Sequence, residues 1–168
     1  MDKIIANKHK YLNDSRMTFE DVFKFAFNNY VIWGEMAKKY GEEKYLKLLK
    51  KLSYNRALNA EQVESNNIKC KDFETFKKSA RETNYFSENA LTMEIIKDTQ
   101  NVFEVKITEC LWAKVFQEIG MEKIGYALIC YPDYASCKGY NPKICLIRTK
   151  TLMQGNKYCN HKYIWNDK

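Results

Sequence analysis

Glycine and proline are scarce in this chain, with six Gly and two Pro in 168 residues. That excludes a collagen-like repeat and a low-complexity linker, which need those residues in bulk. No apolar run approaches the roughly 18 residues that span a bilayer. The opening Met1-Asp2-Lys3-Ile4-Ile5-Ala6-Asn7-Lys8 lacks the apolar stretch and small-residue cleavage site of a secretory leader. A cytoplasmic protein with no membrane partner is expected. The phosphate-cradling GxxxxGK[ST], the dinucleotide GxGxxG, HExxH and GxSxG are all missing, which removes the usual support for kinase, dehydrogenase, zincin and serine-hydrolase readings.

Arginine is also rare. Of 28 basic residues only Arg16, Arg56, Arg81 and Arg148 are Arg, against 21 acidic residues and a net charge of +7. The lysines are mixed with glutamates, as in Lys38-Lys39-Tyr40-Gly41-Glu42-Glu43-Lys44. No Arg-rich helix, zinc-finger spacing or aromatic-basic strand accompanies them, so solvated faces are expected and nucleic acid is not. The six cysteines include no Cys-x-x-Cys pair, which argues against a zinc ribbon and a thioredoxin-type site. Without an export signal they are expected as reduced thiols.

What the chain does have is 45% hydrophobic and 14% aromatic residues. That is enough for one core burying roughly two thirds of the unfolded chain's surface. No repeat or linker divides it. The expectation is a single domain over 1–168, with 1–85 mainly helical and 90–168 carrying a sheet.

Apolar residues Phe19, Val22, Phe23, Ala26, Tyr30, Trp33, Ala37 and Tyr40 recur at helical steps after a Thr18 cap, and Gly41 ends the run. A second helix is expected from about Glu42 to Val63, with Tyr45, Leu48, Leu49 and Leu52 on its apolar face. A third is expected from about Asp72 to Thr83. Near residue 90 the period becomes two: Leu91, Met93 and Ile95, then Phe103, Val105 and Ile107, read as an antiparallel hairpin. Thr108 is placed to cap a helix ending at Gly120, and a further helical stretch runs from about Glu122 to Tyr131, before Pro132. Strands are expected from Lys143 to Leu152 and, after a turn at Gln154-Gly155-Asn156, from Tyr158 to Trp165. Helices followed by strands joined through tight turns favour an α+β fold, with N-terminal helices packed on an antiparallel sheet of about four strands.

Reactive residue types concentrate between Cys130 and His161. If Cys159-Asn160-His161 is extended, alternation puts the thiol and the imidazole on one face, about 7 Å apart at Cα. A neighbouring imidazole is a common way to turn a thiol into a nucleophile. A buried small thiol beside a structural histidine is the plainer alternative. Asp133, in Cys130-Tyr131-Pro132-Asp133, can orient an imidazole, act as a general base, or simply cap a turn. Arg148 ends an apolar strand, where it can pair a ligand carboxylate or reach solvent. Cys130, Asp133, Cys137, Cys159 and His161 do not follow the usual zinc spacings, so no metal and no cofactor are expected.

The pattern Cys130-x2-Asp133, Asn141-Pro142, Arg148-Thr149-x-Thr151-Leu152-x2-Gly155-x3-Cys159-x-His161 resembles the L-2-amino-thiazoline-4-carboxylic acid hydrolase family over about residues 90 to 168. The resemblance implies a hydrolase that opens a cyclic amidine-like C–S/C–N bond in a small molecule, giving an N-carbamoyl-cysteine type product. It implies Cys159 as nucleophile, His161 as its base and Asp133 positioning the ring, with Arg148 and Cys130 on the substrate side. A second version lets Asp133 activate water and leaves Cys159 to shape the pocket. A non-catalytic small-molecule-binding or sensor domain is the alternative, motivated by the aromatic content. Self-association into a homo-oligomer stays open.

Overall fold

Val22, Ala26 and Trp33 follow one another at helical spacing, and these three are the buried residues of the first helix. The computed structural model describes residues 19–65, 71–81 and 90–166. Helix α1 spans Phe19–Tyr40, and Gly41 ends it at φ 79°, a left-handed conformation that costs glycine nothing. The expected Thr18 cap lies outside the described residues. The buried stripe is narrower than the periodicity suggests, since Tyr30 and Tyr40 are exposed. Helix α2, Glu42–Ser65, turns Tyr45 and Ser53 inward and leaves Leu48 and Leu52 exposed. The expected apolar face is therefore rotated. Ser53 Oγ, which donates to the Ala127 carbonyl at 2.6 Å, holds the inward side against the later helices. Helix α3 is Phe73–Arg81, and the expected continuation to Thr83 lies among residues 82–89, outside the described set.

Strands β1, Leu91–Asp98, and β2, Val102–Cys110, form the expected antiparallel hairpin. Helix α4, Leu111–Glu118, is capped by Cys110, whose Sγ accepts from the Ala113 N–H at 3.5 Å. The Thr108 cap is thus corrected. Strand pairing continues to residue 110 and keeps Thr108 inside β2. Helix α5, Glu122–Gly125, runs into a π-helical turn at Tyr126–Cys130, and α6 follows at Asp133–Tyr140. Helix α6 was not anticipated, because Pro132 reads as a stop. Proline at a helix start loses nothing, since that N–H has no helical partner anyway. Strand β3 is only Ile144–Ile147, a 3₁₀ turn covers Leu152–Gln154, and β4 is Cys159–Trp165. The strand expected to reach Leu152 stops early because the Asn160 side chain accepts the N–H groups of Thr149 (3.1 Å) and Lys150 (2.7 Å).

The sheet order is β1-β2-β4-β3, every neighbour antiparallel, so the fold is α+β with helices on one face. Val102, Glu104, Lys106 and Thr108 point to the other face, the pattern of a sheet wet on one side. Two core clusters form. One joins α1, α2, α4 and α5 through Trp33, Tyr45, Phe116 and Ile124, with Met153 of the 3₁₀ turn among them. The other joins α3, α6 and the sheet through Phe73, Phe103, Tyr140 and Ile144. Among the described residues, no helix is long and apolar enough to cross a membrane.

Candidate active site

The π turn and Pro132 together create the site's first polar group. The Tyr131 N–H reaches back to the Tyr126 carbonyl at 2.8 Å, a five-residue step. The next helical bonds start from the Tyr131 and Pro132 carbonyls, which accept from Tyr134 (3.4 Å) and from Ala135 and Ser136. The Cys130 carbonyl takes its hydrogen bond from Arg148 Nη2 at 2.8 Å. A carbonyl left off the ladder and buried needs such a partner. Asp133 then opens α6, in the first turn where the helix dipole favours a carboxylate, and its carboxyl accepts from Arg148.

Arg148 comes from just beyond β3, with a side chain 1% exposed. Its Nη1 donates to Asp133 Oδ2 at 2.5 Å and to His161 Nε2 at 3.2 Å. Arginine has donors only, so Nε2 is an acceptor and the ring proton sits on Nδ1, which donates to Tyr163 Oη at 3.1 Å. Tyr134 lies beneath the guanidinium, 5.0 Å from ring centroid to cation, and its hydroxyl donates to the Arg148 carbonyl at 3.2 Å. On β4 the alternation holds: Cys159 and His161 are both buried on the helix-covered face.

Burial and one cation set the protonation states. Burial pushes the Asp133 carboxyl up to about 6, outweighing the Arg148 guanidinium that pulls it down. The carboxyl is surrounded by protein yet partly open where it meets a cavity. Burial also drives His161 down to about 3, with the Arg148 charge acting the same way, so the imidazole is neutral. Asp133 holds Arg148 more firmly protonated than usual, against the cost of burial. Burial raises Cys159, while the Leu152 N–H (3.1 Å from Sγ) and the Arg148 charge lower it in part. Burial raises Cys130 and Cys110 as well.

All five residues singled out in the sequence, Cys130, Asp133, Arg148, Cys159 and His161, line one cavity of about 370 Å³ between the two core clusters. Its remaining walls are mainly apolar, including Leu91, Met93, Val105, Ile107, Trp112 and Ile129. The contacts inside it differ from the expected chain. Asp133 reaches His161 through the guanidinium, and the two nitrogens of His161 are taken by Arg148 and Tyr163, while Cys159 takes its hydrogen bond from backbone. Arg148 faces Asp133, His161 and the Cys130 carbonyl rather than open solvent. A larger hollow of about 480 Å³, lined by Lys50, Gln117, Glu122 and Met153 among others, contains no thiol or imidazole. Among the described residues, no group of three or more His, Cys, Asp or Glu is arranged to hold a metal ion.

Sequence reasoning missed Tyr163 and Tyr134. Tyr163 was within reach: it stands two residues past His161, so strand alternation puts it on the same face. Tyr134 gave no signal, because its position depends on the unforeseen α6.

A family model for L-2-amino-thiazoline-4-carboxylic acid hydrolase matches residues 20–163. The chain belongs to that family. The match takes in the N-terminal helices as well as the stretch carrying the site residues. No curated protein matches the chain. Among solved structures it is similar to the trafficking protein particle complex subunit 3 from Naegleria fowleri covalently bound to palmitic acid, at 10% identity and a TM-score of 0.54, over 88% of this chain and 96% of that one. That likeness concerns the fold.

Proposed function

We propose that this family member hydrolyses a cyclic amidine-like C–S/C–N bond at the Asp133 end of the cavity, with Asp133 as the general base that activates water. The observation carrying the reading is the Asp133–Arg148–His161 hydrogen-bonded chain on the wall of a cavity able to take a ligand. A carboxyl near 6 is mostly ionised at neutral pH yet basic enough to accept a proton, the match that general base catalysis requires. His161 is a poor base for Cys159: protonating Nε2 would place a cation against Arg148. Cys159 itself is held mainly as the thiol by burial.

In the ring-opening reaction, water adds its oxygen to the carbon between sulfur and nitrogen. Asp133 takes one water proton and passes it to the ring nitrogen. As the new C–O bond becomes a carbonyl, the C–S bond breaks, and the remaining hydroxyl proton passes through the same carboxyl to the departing sulfur. The product is a carbamoyl thiol, and the carboxylate is regenerated. Arg148 fixes Asp133 and stabilises its ionised form, and His161 with Tyr163 fixes Arg148.

The test is thiol release from 2-amino-thiazoline-4-carboxylate. Asp133→Asn is expected to lose about 10²- to 10⁴-fold in kcat, the usual worth of a general base. Cys159→Ala is expected to keep turnover within about tenfold. Full activity of Asp133→Asn, with Cys159→Ala dead, would instead assign the chemistry to a cysteine nucleophile.

A second reading is a binding domain without turnover. The raised thiols and apolar walls favour it, as does the likeness in fold to a subunit crystallised with covalently bound palmitic acid. Binding with no thiol release from any thiazoline would select it.

A further inference from the structure

The geometry points to a second copy of this chain as the occupant of the exposed face of α1, the two α1 helices pairing antiparallel about a two-fold axis. That face shares no residue with the lining of the cavity, so the pairing is independent of the reaction.

Helix α1 carries more unburied apolar surface than a monomer's surface helix needs. Six large apolar side chains on this one helix stay exposed among the described residues. Two of them, Phe27 at 52% and Val31 at 56%, lie one turn apart on the side away from the buried Val22, Ala26 and Trp33. Phe27 stacks on both Phe23 and Tyr30, with ring centroids 5.6 and 5.4 Å away, so little side-chain freedom is left to lose on contact. Contiguous apolar surface of this kind marks an interaction site.

The order of residues along that face selects the partner. Glu20, Phe27, Val31 and Lys38 follow at steps of seven, four and seven. At 3.6 residues per turn all four fall within about 40° of one another around the helix. The spacing reads the same from either end, centred level with Asn29, yet the face begins acidic and ends basic. A two-fold axis at that level puts each Glu20 opposite the partner's Lys38 and each Phe27 opposite the partner's Val31. Lys24 then meets the partner's Gly34, where a Cβ would touch nothing within 4 Å and the lysine stem has room. Within each helix the exposed pairs Lys24–Glu20 and Lys38–Glu35 close at 2.7 and 2.8 Å. Across the axis they join into rows of alternating sign, Lys24-Glu20-Lys38-Glu35. A parallel pairing would set Glu20 on Glu20 and Lys38 on Lys38. Such self-complementarity is what an isologous interface requires, and an unrelated partner has no need of it.

The experiment is sedimentation velocity on the full chain across a range of concentrations. A monomer–dimer equilibrium in the micromolar range is expected, since one helix face is a small interface. Val31→Lys is expected to raise Kd about a hundredfold, because each dimer loses two buried valines and gains two lysines. Glu20→Lys and Lys38→Glu are each expected to raise Kd about tenfold, because both facing charge pairs of the dimer become like-charged. An equimolar mixture of these two charge variants is expected to recover the wild-type Kd as a heterodimer, since each then faces its opposite. Urea midpoints measured below Kd are expected to match wild type in all three, as for exposed positions. A wild-type chain that stays monomeric up to its solubility limit overturns the inference, and a lowered midpoint in Val31→Lys would then assign the face to a segment of its own chain. A dimer unmoved by Val31→Lys overturns it too. A dimer that Val31→Lys breaks, but whose two charge variants associate no better mixed than alone, overturns the antiparallel pairing.

Discussion

Asp133 and His161 share one guanidinium and titrate in opposite senses. Asp133 rises from 3.8 to about 6, so between those values the folded chain holds a proton that the unfolded chain has lost, and its contribution to stability fades as pH rises through 6. His161 falls from 6.5 to about 3, so its contribution is complete above 6.5 and is lost as pH drops toward 3. Between about 4 and 6 the two slopes oppose each other. In Asp133→Asn the His161 contribution stands alone. That variant is expected to lose about 1.4 kcal/mol per pH unit below 6 relative to its own stability at pH 7, read from urea melts. His161→Gln should show the reverse, gaining stability against wild type as pH falls from 6 to 4. The same Asp133 ionisation sets activity: kcat/KM is expected to rise with pH through an apparent pKa of about 6, and that limb is expected to vanish in Asp133→Asn. Both residues were legible as candidates from their types and spacing. Their coupling through Arg148 was not, because nothing local says which side chain will stand between them.

At the level of elements, the site depends on how closely α6 approaches α2. A Cβ on Gly139 would come within 2.7 Å of Glu61 Cβ and 2.8 Å of the Leu58 carbonyl oxygen. The second of these is backbone and cannot swing away. Gly139→Ala is therefore expected to cost about 1–3 kcal/mol in thermal or urea unfolding by forcing the helices apart, and to weaken ligand binding by displacing Asp133 at the start of the same helix. The strands and the first two helices could be read from their periods of 2 and 3.6. The π turn and α6 could not. Pro132 carries the same local signal whether it ends one helix or begins the next, and the choice was made by the Arg148 bond to the Cys130 carbonyl, from eighteen residues away.

Across the whole molecule, Lys77 ties α3 to the β1–β2 turn. Its buried side chain is ion-paired with Glu74, bonds Asp98 at 2.8 Å and donates to the Thr99 carbonyl at 2.9 Å. Lys77→Ala is expected to lower stability by about 2 kcal/mol, since it removes a packed stem and leaves a carbonyl short of its donor. Lys77→Met should recover about half of that in the same melts, by restoring the stem. Hydropathy pattern alone determined that helices come first, that an antiparallel sheet follows, and that Cys159 and His161 share a face, because these depend on side-chain period within one segment. Insertion of β4 between β2 and β3, the cavity between two cores, and the neutralisation of Arg148 by Asp133 were decided only in three dimensions. Each joins segments far apart in the chain, where contact is set by loop closure and packing rather than by neighbouring residues.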